Sequence, residues 1–230
     1  MKPTAKLSAE ERRAAIIKAV RRAFAEKGFH GSTTRELARA AGVSEALLFK
    51  HFPNKEALYV AMMVTCKSEK DQAMFDRVKA LEPSASTLVL MVHSLFTFLL
   101  SGHAGCDDER TVQNRLMLRS LLEDGEFARL QLKQFASHWV AKVEECLKAA
   151  VAAGDAVNGP VLPTLRGWFV HHLAVTLRSH AVLAQPALDY GVSREKLVEQ
   201  AAWFSLRGLG LKEEVIKRHY NPRALALLTS

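Results

Sequence analysis

Apolar residues recur at three- and four-residue intervals along almost the whole chain, and no stretch shows the convincing period of two that marks a half-buried strand. The pattern predicts an all-α protein. Ser8 and Glu11 have the spacing of a capping box, so a first helix should begin near Ser8. Its inner face would carry Ile17, Val20 and Phe24, with Arg12, Arg13, Arg21 and Arg22 largely outside it. Gly28 and Gly31 should end it. Thr33 and Glu36 repeat the capping-box spacing and open a short helix that runs to about Ala41. Gly42 is placed to break that helix in a left-handed C-cap. Ser44 can cap a third helix, which must stop before Pro53 because a proline pushes the preceding Phe52 out of the α region. Asn54 then caps a fourth helix from Lys55 to about Lys79.

Beyond Pro83 the predicted helices lengthen, lying near 84–101, 109–122, 126–153, 162–183, 193–208 and 212–218. The segment from Leu88 to Leu100 is apolar nearly all round, which predicts a central helix. No internal repeat or low-complexity tract interrupts this order. The expected boundary falls inside the fourth helix: a head over 1–55, a rigid connector from about residue 55, and a larger helical bundle over 56–230.

Composition narrows the class. With 49% hydrophobic residues over 230 positions the chain can bury a real core. The run TLVLMVHSLFTFLL, Thr87 to Leu100, is shorter than the roughly 20 residues of a membrane span, and His93 interrupts it. No basic-then-apolar signal peptide opens the sequence, so a cytoplasmic protein without membrane partners is expected. Cys66, Cys106 and Cys146 are odd in number and far apart, which suits a reducing compartment. Charge is unevenly placed. Through Lys55 there are 12 Lys and Arg against 5 Asp and Glu, a net of +7; the remaining 175 residues hold 20 against 19. Such asymmetry suits a polyanionic partner for the head, although a solvated basic helix would show it too.

The stretch TTRELARAAGVSEALLFKHFPNK, Thr33 to Lys55, bears on that choice. In a helix-turn-helix the first helix crosses the DNA backbone and the second enters the major groove. The crossing needs a small residue, a glycine at the turn and apolar anchors; Ala38, Gly42, Val43 and Leu48 supply them, with Leu37 and Phe52 adding to the core. A plain bundle corner would use much the same residues. Lys55 tips the balance: at the first turn of a helix the macrodipole disfavours a cation by up to about 1 kcal/mol, unless it and the free N–H groups grip one phosphate together.

From about Leu7 to Met63 the chain resembles the DNA-binding domain of the TetR-type (tetracycline-repressor-like) transcriptional regulators. The matching pieces are FAEKGFHGSTTRELARAAGVS and LLFKHFPNKEAL, in that order. The resemblance implies an N-terminal three-helix helix-turn-helix domain followed by a larger helical-bundle regulatory and dimerisation domain. It implies that Thr33, Thr34 and Arg35 approach the DNA backbone and groove edge. Ser44, Glu45, Ala46, Leu47 and Lys50 would face the major groove, with Phe49, His51 and Lys55 at backbone-contact positions. Three residues depart from the family pattern. Phe49 replaces a common Tyr, and Leu47 stands where a small or hydroxyl residue is common. Glu45 stands where a basic or polar one is common. Leu47 can pack on a thymine methyl. Glu45 can accept from cytosine N4 or simply favour its own helix N-terminus.

The resemblance loosens past residue 65 and there implies a six-helix domain whose last two long helices form a homodimer. The segments LRGWFVHHLAVTLRSHAV and REKLVEQAAWFSLRGLG carry broad apolar faces, here Trp168, Phe169, Leu173 and Leu177, then Leu197, Ala201, Phe204 and Leu206. His93, Phe96, Phe135 and Trp139 either line a cavity for a small, mostly apolar effector or are ordinary core, the commoner case. Metal and catalytic patterns are weak: His171 and His172 are adjacent and point to different helix sides, and His103 with Cys106 makes only two ligands. No metal, cofactor or catalytic residue is therefore expected. The leading reading is a homodimeric, effector-responsive regulator, most simply a repressor, on a palindromic double-stranded DNA operator. The alternatives are a helical-bundle enzyme or carrier whose basic segment docks a partner, and a membrane-surface helix at residues 8–27.

Overall fold

The computed structural model describes residues 7–65, 76–100, 109–181 and 188–229, and among them the architecture is all helical. The described helices are α1 (Ala9–Gly31), α2 (Thr34–Ala40), α3 (Glu45–His51), α4 (Lys55–Thr65), α5 (Ala85–Leu100), α6 (Glu109–Leu122) and α7 (Glu126–Gln131). A π-helical turn over Leu132–Ala136 follows, then α8 (Ser137–Ala152), α9 (Pro163–Ala181), α10 (Arg194–Leu209), α11 (Glu213–His219) and α12 (Pro222–Thr229). None of these helices is long and apolar enough to cross a membrane. The chain divides into two units, one holding α1–α4 with α6 and α7, the other α5 and everything from the π turn onward.

In the first unit α1 packs against α2, α4 and α6, α2 against α3, and α7 against α4 and α6. The shared core contains Val20, Phe24, Leu37, Leu48, Phe52 and Met62, with Leu116 and Phe127 contributed by α6 and α7. Each large side chain buried here is worth about 1.5–3 kcal/mol of transfer free energy. The sequence reading grouped the segments around 109–131 with the C-terminal bundle. They pack with the head instead, because Leu116 and Phe127 complete an apolar surface that helices as short as α2 and α3 cannot close alone.

In the second unit α5 is the centre, touching α8, α9, α10, α11 and α12. Leu88, Val92 and Phe96 are fully buried there among Val143, Ala174 and Leu206. An all-round apolar helix has no face it can leave in water, so it must be surrounded. The buried Arg166 braces the connection before α9. Its Nε donates to the Val161 carbonyl (2.8 Å), while Nη1 donates to that of Leu209 and Nη2 to that of Gly159 (3.0 Å each).

Two elements differ from the sequence reading, the π turn and the last helix, and a third is described only at its ends. The helix expected over 126–153 is interrupted by the π turn, since one inserted residue per turn keeps the apolar pattern on one side without a breaker residue. The chain is helical again at 76–80, so the far end of the expected 55–79 helix is present, while its middle lies outside the described residues. Pro222–Thr229 forms a helix that the pattern did not suggest; Pro222 sits at its first position, where a missing N–H costs nothing.

Candidate nucleic-acid interface

The head's short helices are set by their ends. Ser8 and Glu11 form the first capping box: the Ser8 amide donates to Glu11 Oε2 at 2.8 Å and the Glu11 amide to Ser8 Oγ at 3.2 Å. These bonds favour the charged carboxylate and lower the Glu11 pKa. Regular α1 geometry stops at Gly28, whose φ of 71° lies in the left-handed region, and a Cβ there would collide with the Glu123 carboxylate. Thr33 and Glu36 form the second box, with the Thr33 amide 3.0 Å from Glu36 Oε2 and the Glu36 amide 3.3 Å from Thr33 Oγ1. Lys27 adds an ion pair at 2.5 Å, and with the Thr33 bonds it holds the Glu36 carboxyl down to about 2.

The corner between α2 and α3 is a Schellman turn. Gly42, at φ 64°, donates to the Arg39 carbonyl (3.1 Å) and Val43 donates to that of Ala38 (3.0 Å). Ser44 then caps α3 by accepting from the Leu47 amide at 3.2 Å. This fixes which side of α3 looks inward: Leu48 is buried in the helix and Phe52 just beyond it, while Glu45, Ala46, Phe49 and Lys50 are exposed and Leu47 and His51 are half-buried. Phe49 is 42% exposed, a large apolar ring left on an otherwise polar surface. Thr33, Arg35 and Ser44 are exposed and Thr34 is half-buried, and of the residues expected at the interface Thr34 and Glu45 are joined by a hydrogen bond.

Three polar contacts across the head were not visible in the sequence. Arg13 donates to the His51 carbonyl at 2.8 Å, with its guanidinium 4.3 Å from the Phe52 ring centroid. A cation against the C-terminal carbonyls of α3 is favoured by the helix dipole. The Thr34 hydroxyl donates to Glu45 Oε2 at 3.0 Å, joining the first residues of α2 and α3. Lys55 donates to the Ser32 carbonyl at 2.8 Å and lies 4.3 Å from the centroid of Phe29. The sequence argument for Lys55 as a cation awaiting phosphate is therefore revised. A backbone carbonyl and an aromatic face already compensate its charge. Separations of 38, 11 and 23 residues leave no periodic signal from which such pairs can be read.

In the second unit His93, Phe96 and Trp139 are buried core residues, and the side chain of Phe135 lies outside the described residues. His93 Nδ1 and the Tyr220 hydroxyl lie 3.0 Å apart, and burial lowers the histidine pKa and raises that of the tyrosine. On the last long helices Phe169 is 60% and Phe204 70% exposed, whereas Trp168, Leu173 and Leu197 are partly buried against the core. Leu177 and Ala201, expected on the same outer face, are buried within their own unit, because they sit on the sides of α9 and α10 that meet α5. The sequence reading passed over Leu165, which is exposed four residues before Phe169; extending the i, i+4 stripe one step back finds it.

The sequence profile of the family described as "Bacterial regulatory proteins, tetR family" matches residues 16–62. YuxN of Bacillus subtilis, an HTH-type transcriptional regulator, is 24% identical over 142 residues, which are 60% of this chain and 40% of that protein. The HTH-type transcriptional repressor AcnR of Corynebacterium efficiens is 45% identical over 47 residues, 20% of this chain and 25% of that one. The aligned segments thus span less than half of either relative. A solved structure of AibR, in complex with isovaleryl coenzyme A and operator DNA, matches with a TM-score of 0.60 at 19% identity. That match covers 84% of this chain and 97% of AibR and shows a shared fold.

Proposed function

We propose that this chain, whose residues 16–62 match the tetR family of bacterial regulatory proteins, is an effector-responsive transcriptional repressor acting on a palindromic operator. The observation that carries this reading is the outer face of α3. A capped seven-residue helix presents Glu45, Ala46, Phe49 and Lys50 to solvent, on a corner locked by Gly42 and pinned at its far end by Arg13. The exposed Arg35 and Thr33 can supply phosphate partners, with His51 a further donor at the rim.

Two half-sites one helical turn apart require two heads. The exposed Leu165, Phe169 and Phe204 support homodimerisation through α9 and α10, since large apolar side chains cluster on surfaces that another chain covers. Phe204→Glu should then convert a dimer to a monomer in sedimentation with the helical content retained. Effector binding belongs to the second unit, where the His93–Tyr220 pair sits in apolar surroundings that include Phe96 and Trp139. A small, mostly apolar molecule suits such walls, and AibR is described with isovaleryl coenzyme A. Release from DNA needs only a few kcal/mol of differential affinity between two conformers. The protein would act in the cytoplasm and carry out no catalysis.

The decisive experiment is selection from a random duplex library. A palindromic consensus is expected, bound more weakly as salt rises. Arg35→Ala should weaken every sequence alike and shallow the salt slope by about one unit. Lys50→Ala should change which base is preferred at one position in each half-site. Absence of any sequence preference would overturn the proposal.

A further inference from the structure

We infer that Glu45 is a specificity-determining residue that selects cytosine in each half-site, and that Thr34 positions it to do so. The inference rests on the operator-binding reading and makes it more specific. Glu45 is the first residue of α3, exposed, and its side chain is held across the corner by the 3.0 Å bond from the Thr34 hydroxyl to Oε2. A carboxylate is an acceptor with two oxygens and about four lone-pair sites. The threonine proton occupies one of them and leaves Oε1 with no hydrogen-bond partner among the described residues, at the leading end of the helix.

The first residues of a recognition helix are the ones that meet base edges. In the major groove an acceptor-only group finds matching chemistry at few places. Guanine presents N7 and O6, thymine O4 and a methyl, and adenine an amino group flanked by its own acceptor N7; cytosine's own edge presents only the N4 amino donor. The tether favours the same choice. A mobile carboxylate would be driven away from the DNA by its phosphates, whereas one tethered to α2 is held at a fixed place and loses less freedom when DNA arrives. Arg35, exposed on α2 beside Thr34 in the chain, can carry a phosphate contact.

The tether also separates this role from simple helix stabilisation. A carboxylate at the first turn benefits its own helix wherever its side chain points. That role would need neither Thr34 nor a particular base.

The test is parallel selection from random duplexes with the full-length wild type and with Glu45→Gln, Glu45→Ala and Thr34→Val, each checked for helical content and melting. The wild type should select cytosine at one position per half-site, about ten- to a hundredfold over the other bases. Glu45→Ala should erase the preference at that position alone. Glu45→Gln should move it to adenine, which an amide can meet with one donor and one acceptor. Thr34→Val should keep cytosine but reduce the discrimination severalfold. If the variants select the wild-type consensus unchanged, Glu45 reads no base and the inference fails while operator binding stands. If the wild type itself selects nothing, operator binding fails first.

Discussion

The two units solve the same problem, stabilising a helix, by different means. In the head α2 and α3 are seven residues each, too short to persist alone, and their order comes from ends: Ser8, Thr33, Ser44 and Asn54 all accept from backbone amides. In the larger unit α5, α8 and α9 run 16, 16 and 19 residues and rest mainly on apolar faces; Ser84 caps α5, but α8 has no side-chain cap at its start. The head can therefore leave its polar side chains at the surface, where DNA chemistry needs them. Both units enclose a few polar groups, Ser32 and Gln131 in the first and His93 and Arg166 in the second, but the larger one also keeps spare apolar surface at Phe169 and Phe204. A reading surface thus depends on local hydrogen bonds, and the larger unit on long-range packing.

Substitutions can test that contrast, the largest effect first. Phe52→Ala removes a ring that is both core and the seat of Arg13, and should cost about 3–5 kcal/mol in denaturant unfolding of the head. A loss below about 1 kcal/mol would mean that caps alone hold α3. Arg166→Ala should cost about 2–3 kcal/mol by stranding the buried Leu209 carbonyl and removing the bonds to Gly159 and Val161, and Arg166→Lys should not restore it, because an ammonium lacks the planar fork.

His171 sharpens the comparison through pH. Burial, and then the neighbouring His172, push its pKa down to about 4. Between pH 6.5 and about 4 the unfolded chain binds a proton that the folded chain refuses, so stability falls as pH drops through that window and levels off below it, by about 3 kcal/mol in full. Melting curves of the wild type and His171→Leu should diverge at pH 5 and run parallel above pH 7. Thr33→Ala, the smallest of the four, should cost about 1 kcal/mol with Thr33→Ser largely restoring it; equal losses for both would argue against the cap.

Much of the head was legible because its signals are local. A capping box spans three residues, a Schellman glycine one, and a proline stop two, so Ser8, Thr33, Gly42 and Pro53 mark the boundaries of α1 to α4 to within a few residues. The apolar period likewise identified α5 as central. What could not be read were pairings between distant residues. Lys55 looked unpaired because the Ser32 carbonyl and Phe29 ring that receive it have no signature along the chain. Leu177 and Ala201 lie on helices with apolar residues on more than one side, and only packing decides which side is core.

By itself, then, the sequence determined that the chain is helical, where its first four helices begin and which face of α3 is polar, since these follow from dihedral preferences and side chains within one turn. Only the tertiary structure decided that α6 and α7 complete the head's core, that Arg13 and Lys55 are held by carbonyls, and that Thr34 holds Glu45. Those outcomes depend on which surfaces meet when apolar area is buried, a property of the whole chain that no local spacing encodes.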